Sequence, residues 1–271
     1  MSSLFSVKNK IIIISGATGV LGKAMSKHLA YEGAQMVILG RNPDKVNQLV
    51  KEIKDEGGFA VPAVADVTNE KELEEVKKEL GNSFEYVDGL INAAGGNMPG
   101  AVVMPNQFLS DLSGEDVKKI MDLNYMGTFL PTKVFLPLMT ATKKASIVNI
   151  SSMAASRPMT RVMGYASAKA AIDNLTKWLA TEFAKKYGEG MRVNAVAPGF
   201  FLTEQNRALL TQQDGSLTER GQLIIQNTPM ARFGEPNELF GAIQFLCSEA
   251  SKFVTGTIIE VDGGFNAFGG V

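Results

Sequence analysis

The stretch Ile11-Ile12-Ile13-Ile14-Ser15-Gly16-Ala17-Thr18-Gly19-Val20-Leu21-Gly22 decides the fold. Four consecutive isoleucines suit a strand covered on both faces. Glycines at 16, 19 and 22 then permit a tight turn, close approach of backbone to a pyrophosphate, and close packing of the next helix on the strand. That helix ends near Gly33, and its first turn offers unpaired N–H groups and the positive end of the helix dipole. Alone, a glycine triplet is a weak sign that a structural turn would explain. After a first strand and before an apolar helix, it points to a bound dinucleotide.

Outward from this turn, apolar runs rich in β-branched residues recur at 36–39, 60–65, 90–93, 147–151, 192–197 and 258–261, after the first at 11–15. They read as continuous rather than alternating, as a doubly covered sheet requires. Helical stretches lie between them. Asn42 before Pro43 is an N-cap with proline at the first helical position, and Gly57-Gly58 stop that helix. Asn69 and Glu72 have capping-box spacing, and the Glu/Lys run that follows is a solvated face. Ser113 with Asp116 begins a longer helix that passes Leu123 toward Pro137. Alternation without linker or repeat predicts an α/β fold: a single doubly wound Rossmann-type domain over residues 1–271 with a seven-stranded parallel sheet.

Composition narrows the function classes. The chain has 27 Lys+Arg against 28 Asp+Glu, so nothing favours nucleic acid as a partner. One cysteine, Cys247, and one histidine, His28, allow neither an intrachain disulfide nor a His/Cys zinc site, and no metal is expected. His28 reads as a surface structural residue. The N-terminal residues have no secretory pattern, and the isoleucine run is too short to span a bilayer. A cytoplasmic protein without membrane contact is expected.

The end of the second strand bears on the nucleotide. A carboxylate there would pair with the ribose diol of NAD. This chain has Gly40-Arg41-Asn42 instead, and Arg41 suits a 2′-phosphate. The plainer reading is a solvated arginine. The local chemistry favours NADP over NAD.

Later motifs follow in a specific order: Asp66-Val67-Thr68, Asn92-Ala93-Ala94-Gly95, Asn124, Ser152 after Asn149-Ile150-Ser151, Tyr165-Ala166-Ser167-Ala168-Lys169, Pro198-Gly199 with Thr203, and Val261-Asp262-Gly263-Gly264. With these the chain resembles the short-chain dehydrogenases/reductases over its whole length. Two details depart from the common pattern: the Gly-x-x-Gly-x-x-Gly spacing of the first turn, and Ala93 in place of a second asparagine. The resemblance implies a nicotinamide cofactor held by Gly16, Thr18, Gly19, Val20, Leu21, Gly22, Arg41, Asn42, Asp66, Val67, Asn92, Ala93, Ala94, Gly95, Tyr165, Lys169, Pro198, Gly199, Phe201 and Thr203. It also implies a homotetramer.

Tyr165 and Lys169 are four apart and share a helix face. A free phenol ionises near pH ~10, and an adjacent ammonium would lower that value toward the working range. Tyr165 could then exchange a proton with an alcohol or carbonyl oxygen. The resemblance gives Lys169 the nicotinamide ribose as well, Ser152 the reacting oxygen, and Asn124 a water that relays protons. Singly, each has a plainer reading: a surface Tyr–Lys pair, a strand-end turn, a helix-interior amide. Jointly and in order, the catalytic reading prevails. Ser152 lacks the Gly-x-Ser-x-Gly elbow and histidine of a serine hydrolase. The Asn149-Ile150-Ser151 sequon falls at a buried strand end. Trp178 and Phe183 read as core or subunit interface.

Substrate choice belongs to loops beyond the strand ends. A polar stretch at 200–233 reads as a lid, and its composition suits a polyhydroxylated acid better than a lipid. Arg207 is the candidate carboxylate clamp, with Asn97 and Gln205 as hydroxyl partners beside Ser152; a solvated helix face would equally explain Arg207. The loop sequences resemble the D-mannonate (fructuronate) oxidoreductase-like branch, with gluconate 5-dehydrogenases as neighbours. That branch suggests NAD, against the NADP reading of Arg41. Two other functions stand beside a sugar-acid oxidoreductase: a reductase of 3-oxoacyl thioesters or another small carbonyl, and a non-catalytic dinucleotide sensor on the same fold.

Overall fold

A computed structural model describes residues 3–202, 207 and 209–270. The seven apolar runs form β1 (Ile11–Ser15), β2 (Gln35–Gly40), β3 (Phe59–Val64), β4 (Gly89–Asn92), β5 (Ala145–Ile150), β6 (Met191–Pro198) and β7 (Ile258–Val261). All pairings are parallel, in the order β3-β2-β1-β4-β5-β6-β7. The winding direction reverses between β1 and β4. A crevice at the carboxyl ends of those two strands is therefore a consequence of topology.

Alternate residues of β1 feed two cores. Ile11 and Ile13 join one with α3 (Glu70–Ser83), α5 (Gly127–Thr140) and α6 (Met163–Tyr187). Ile12 and Ile14 join the other with α1 (Val20–Tyr31), α2 (Pro43–Asp55) and a later helix at Phe240–Cys247. Each such isoleucine contributes roughly 1.5–3 kcal/mol by burial, so the tetrad anchors both layers. At the sheet edge β3 departs from the expected continuous burial. Phe59 and Val64 are exposed, and Pro62 is tolerated because an edge strand has one unpaired side.

The stretch after Ser113 is one line of helix broken in the middle. α4 (Gly114–Met121) passes into a π-turn at Asp122–Met126 and then into α5, which continues past Pro131 and Pro137 to Thr140. Such turns recur at functional sites. Further helices among the described residues are α7 (Glu219–Gln226) and α8 (Phe240–Cys247). His28 is partly buried rather than on the open surface: it meets Gln244 at 2.8 Å and stacks on Phe240. Phe183 lies in the core and Trp178 is exposed. No described helix is long and apolar enough to cross a membrane.

Candidate active site

The glycine turn is built by contact. Gly16 has φ +63°, and a Cβ there would lie 2.5 Å from Ala94 N; one on Gly22 would lie 2.2 Å from Gly16 O. Turn, α1 and the loop after β4 thus touch at distances only glycine permits. Gly19 caps α1 without a side-chain hydrogen bond, which leaves the first N–H groups open to an anion. A cavity of about 520 Å³ begins here and follows the carboxyl ends of the strands. Its glycine cradle and helix terminus fit a dinucleotide pyrophosphate.

Gly16, Thr18, Gly19, Val20, Leu21, Gly22, Arg41, Asp66, Val67, Ala93, Ala94, Gly95, Ser152, Tyr165, Lys169, Pro198, Gly199 and Phe201 all line this cavity. Three expected residues do not line it. Asn42 spends its side chain capping α2, accepting from Lys45 N at 2.9 Å. Asn92 is buried, donating to Thr132 and Asn149, each at 2.9 Å. Asn149 in turn donates to Thr176, so a polar chain crosses beneath the site from α5 to α6. Asn124 sits in the π-turn: its amide donates to the carbonyls of Gly96 and Ile120, and its oxygen accepts from Gly96 N at 3.0 Å. It fastens the loop 95–96 against the base of the site. Asn97 is exposed and hydrogen-bonds the next backbone N–H, and Arg207 is exposed; neither lines the cavity. Thr203 and Gln205 lie outside the described residues.

Near the second strand end, burial works against ionisation of Asp66. Hydrogen bonds from Thr68 and the charge of Arg41 nevertheless hold its carboxyl below the usual range. Arg41 thus shares its corner with an acid at the end of the neighbouring strand β3, which sequence spacing could not reveal.

At the other end of the cavity α6 presents Tyr165 and, one turn on, Lys169. The ammonium lies 5.6 Å from the centre of the Tyr165 ring and donates to Ile150 O at 2.7 Å. Burial pushes Lys169 down to about 8, partly offset by Asp173. Burial pushes the Tyr165 phenol up, and a hydrogen bond with Ser152 opposes the rise. This corrects the expectation that the lysine lowers the phenol. Both groups share one low-dielectric corner, where each loses more by desolvation than it gains from its neighbour. Ser152 heads the turn Met153–Ala155 directly after β5 and also accepts from Ala154 N at 3.2 Å.

Two cations escaped the sequence reading. Arg161 lies on the loop after Ser152, with φ +75°, and its carbonyl accepts from Val103 N at 2.9 Å. Arg220 is half-buried on α7; burial first, and then the like charge of Arg161, lower its pKa. Neither has an ion-pair partner among the described residues. Phe200 and Leu202 are tied to Gly234: Leu202 N donates to Gly234 O, and Gly234 N to Phe200 O. The C-terminal segment fastens the other loop, since Arg157 and Ser156 hold Asn266 while Phe265 packs edge-on against Phe200.

Residues 16–266 match the family model described as enoyl-(acyl carrier protein) reductase. An uncharacterised oxidoreductase of Bacillus subtilis is 42% identical, covering 98% of each chain. Among solved structures, a candidate D-mannonate oxidoreductase from Haemophilus influenzae, with bound NAD, superposes with a TM-score of 0.92 at 42% identity, covering 98% of each chain. A gluconate 5-dehydrogenase from Burkholderia cenocepacia, in complex with NADP and tartrate, superposes at 0.86 with 31% identity, again covering 98% of each chain.

Proposed function

The chain belongs to the short-chain dehydrogenase/reductase family and is an NAD(P)-dependent oxidoreductase, and from that premise we propose that it interconverts the hydroxyl and ketone of a sugar acid such as mannonate/fructuronate or gluconate. The observation that carries the substrate class is the pair Arg161 and Arg220, on the loop after Ser152 and on α7, whose like charges act on each other and which have no ion-pair partner among the described residues. Two like-charged guanidinium groups with no carboxylate paired to them among the described residues suit an anion that arrives with the substrate. The relatives' substrates agree in kind.

When bound, the nicotinamide supplies or accepts the hydride. Ser152 donates a hydrogen bond to the reacting oxygen. Tyr165, kept protonated by its burial, is set to give its phenolic proton to a carbonyl oxygen on reduction and to take it back on oxidation. Lys169 places a positive charge beside the phenol and steadies the phenolate left after transfer. Asn124 holds the loop 95–96 that closes the site beneath them.

NADP is the proposed cofactor over NAD, on the strength of Arg41 at the wall of the cavity. Comparison of kcat/KM for NADPH and NADH, in the native protein and in Arg41→Ala, tests this. NADH preference that Arg41→Ala leaves unaltered would overturn it. A cytoplasmic homotetramer is the proposed form, testable by light scattering for its assembly.

Reduction of a 3-oxoacyl thioester is the second reading. It is favoured by the acyl-carrier description of the matching family model and by exposed Leu209, Leu223 and Met230 in the lid segment. A panel of keto sugar acids and acyl thioesters with both cofactors separates the two. Turnover of thioesters with none on keto sugar acids would sink the first. If Tyr165→Phe keeps nucleotide binding and loses turnover, a purely sensory role is excluded.

A further inference from the structure

Tyr165, Lys169 and Asp173 occupy positions i, i+4 and i+8 of α6, stacked along one face. The first two serve the reaction described above; the third faces the same strand end. Asp173 Oδ1 accepts from the Ser151 hydroxyl at 2.5 Å. Ser151 is 2% exposed, and its N–H donates to Val196 O at 2.8 Å, so it is fixed from both sides. The preceding residue, Ile150, accepts from Lys169 Nζ at 2.7 Å. Two successive residues at the end of β5 are thus tied to two successive turns of α6. Ser152 follows immediately, and its height against the Tyr165 hydroxyl is set by those ties.

A buried serine could be satisfied by any nearby carbonyl, and a carboxylate in that position carries a desolvation cost. Its surroundings show what offsets the cost. On its own helix Asp173 faces Lys169 and Lys177, from β7 it faces Glu260, and from the β5 end the Ser151 hydroxyl. Burial and Glu260 oppose its charge, while Ser151 and the two lysines favour it. Among the described residues, the charged group acting on Lys169 is Asp173. Lys169, in turn, lies beside Tyr165, itself hydrogen-bonded to Ser152.

We propose that Asp173 is a positioning residue for the proton-transfer pair: through Ser151 it sets Ser152 against Tyr165, and its carboxylate supplies the negative charge nearest Lys169. The proposal rests on the oxidoreductase reading. It assigns the two effects to separable parts of one contact. Removing the negative charge makes Lys169 give up its proton at lower pH. Cutting the strap misplaces Ser152 and leaves that titration where it was.

Three variants of the full-length protein test it, with Tyr165→Phe as a control on the reading beneath. Asp173→Asn keeps the size and a hydrogen-bonding oxygen while removing the charge. It is expected to move the alkaline limb of kcat/KM down by about half a pH unit or more, with nucleotide affinity within about twofold of native by fluorescence titration. Ser151→Ala is expected to lower kcat about tenfold with the limb unmoved. Asp173→Ala should show both effects; if it does not fold, the other two variants decide. A native pH profile in Asp173→Asn, or a native kcat in Ser151→Ala, overturns the proposal. If Tyr165→Phe retains native turnover, the reading of the reaction itself fails, and that failure is distinct from the other.

Discussion

Lys169 shows what a buried charge costs and what it does. Its pKa of about 8, against an ordinary 10.5, means that the folded protein without nucleotide holds this proton less tightly than the unfolded chain. Between those values the unfolded state binds more protons, so stability rises with pH across that window. Each unit is worth about 1.4 kcal/mol, so the native protein should gain on the order of 2–3 kcal/mol relative to Lys169→Met from pH 8 to 10.5. Urea unfolding of both proteins at several pH values checks this; a constant difference would remove the desolvation account. The i, i+4 spacing of Tyr165 and Lys169 was legible from the sequence. The sign of the phenol's shift was not, because it depends on how deeply both side chains are buried. For the same reason Arg161 and Arg220 could not be paired from the sequence: they lie far apart along it, and the charge of one acts on the other only in the folded chain.

At the scale of the element, two glycines on helices have opposite uses. A Cβ on Gly22 would lie 2.2 Å from Gly16 O and 2.9 Å from Ala17 Cα, both backbone atoms that cannot swing away. Gly22→Ala should therefore destabilise by about 1–3 kcal/mol despite the better helix propensity of alanine, and should weaken nucleotide binding. Gly81 in α3 has nothing within 4 Å of such an atom. Gly81→Ala should stabilise by roughly 0.5–1 kcal/mol. Thermal melts of the pair test the contrast, and equal shifts would refute it. Strand positions and the caps of α2 and α3 could be read from apolar runs and from Asn42 and Asn69. The π-turn at Asp122–Met126 could not. Its cause is tertiary: Asn124 is drawn to both backbone groups of Gly96, on a loop distant in sequence. Asn42 and Asn92 both adjoin residues lining the cavity, yet Asn42 is exposed and caps α2 while Asn92 is buried among polar partners; a motif does not say which way such a side chain is spent.

For the whole molecule, one sheet serves two cores through alternate residues of the same strands, so the two hydrophobic interiors share their strands and neither can form without the sheet. Calorimetry should show one cooperative unfolding transition, as expected for a single domain; two resolved transitions would divide it. A nucleotide at about 100 times its Kd should raise stability by about 2.7 kcal/mol. A doubly wound parallel sheet of seven strands was readable from strand–helix alternation and the first turn, because right-handed crossovers leave few other arrangements.

The sheet contains no hairpin, and this has a consequence in time. Every strand pair is parallel, so each ladder must wait for an intervening crossover to form. The cavity then joins segments from the first turn to Phe201, on either side of the reversal between β1 and β4. Helices can form early from local sequence, whereas the site exists only when distant strands have paired. On refolding from denaturant, far-ultraviolet circular dichroism should recover first and nucleotide binding last, with the interval measuring how long β1 waits for β4.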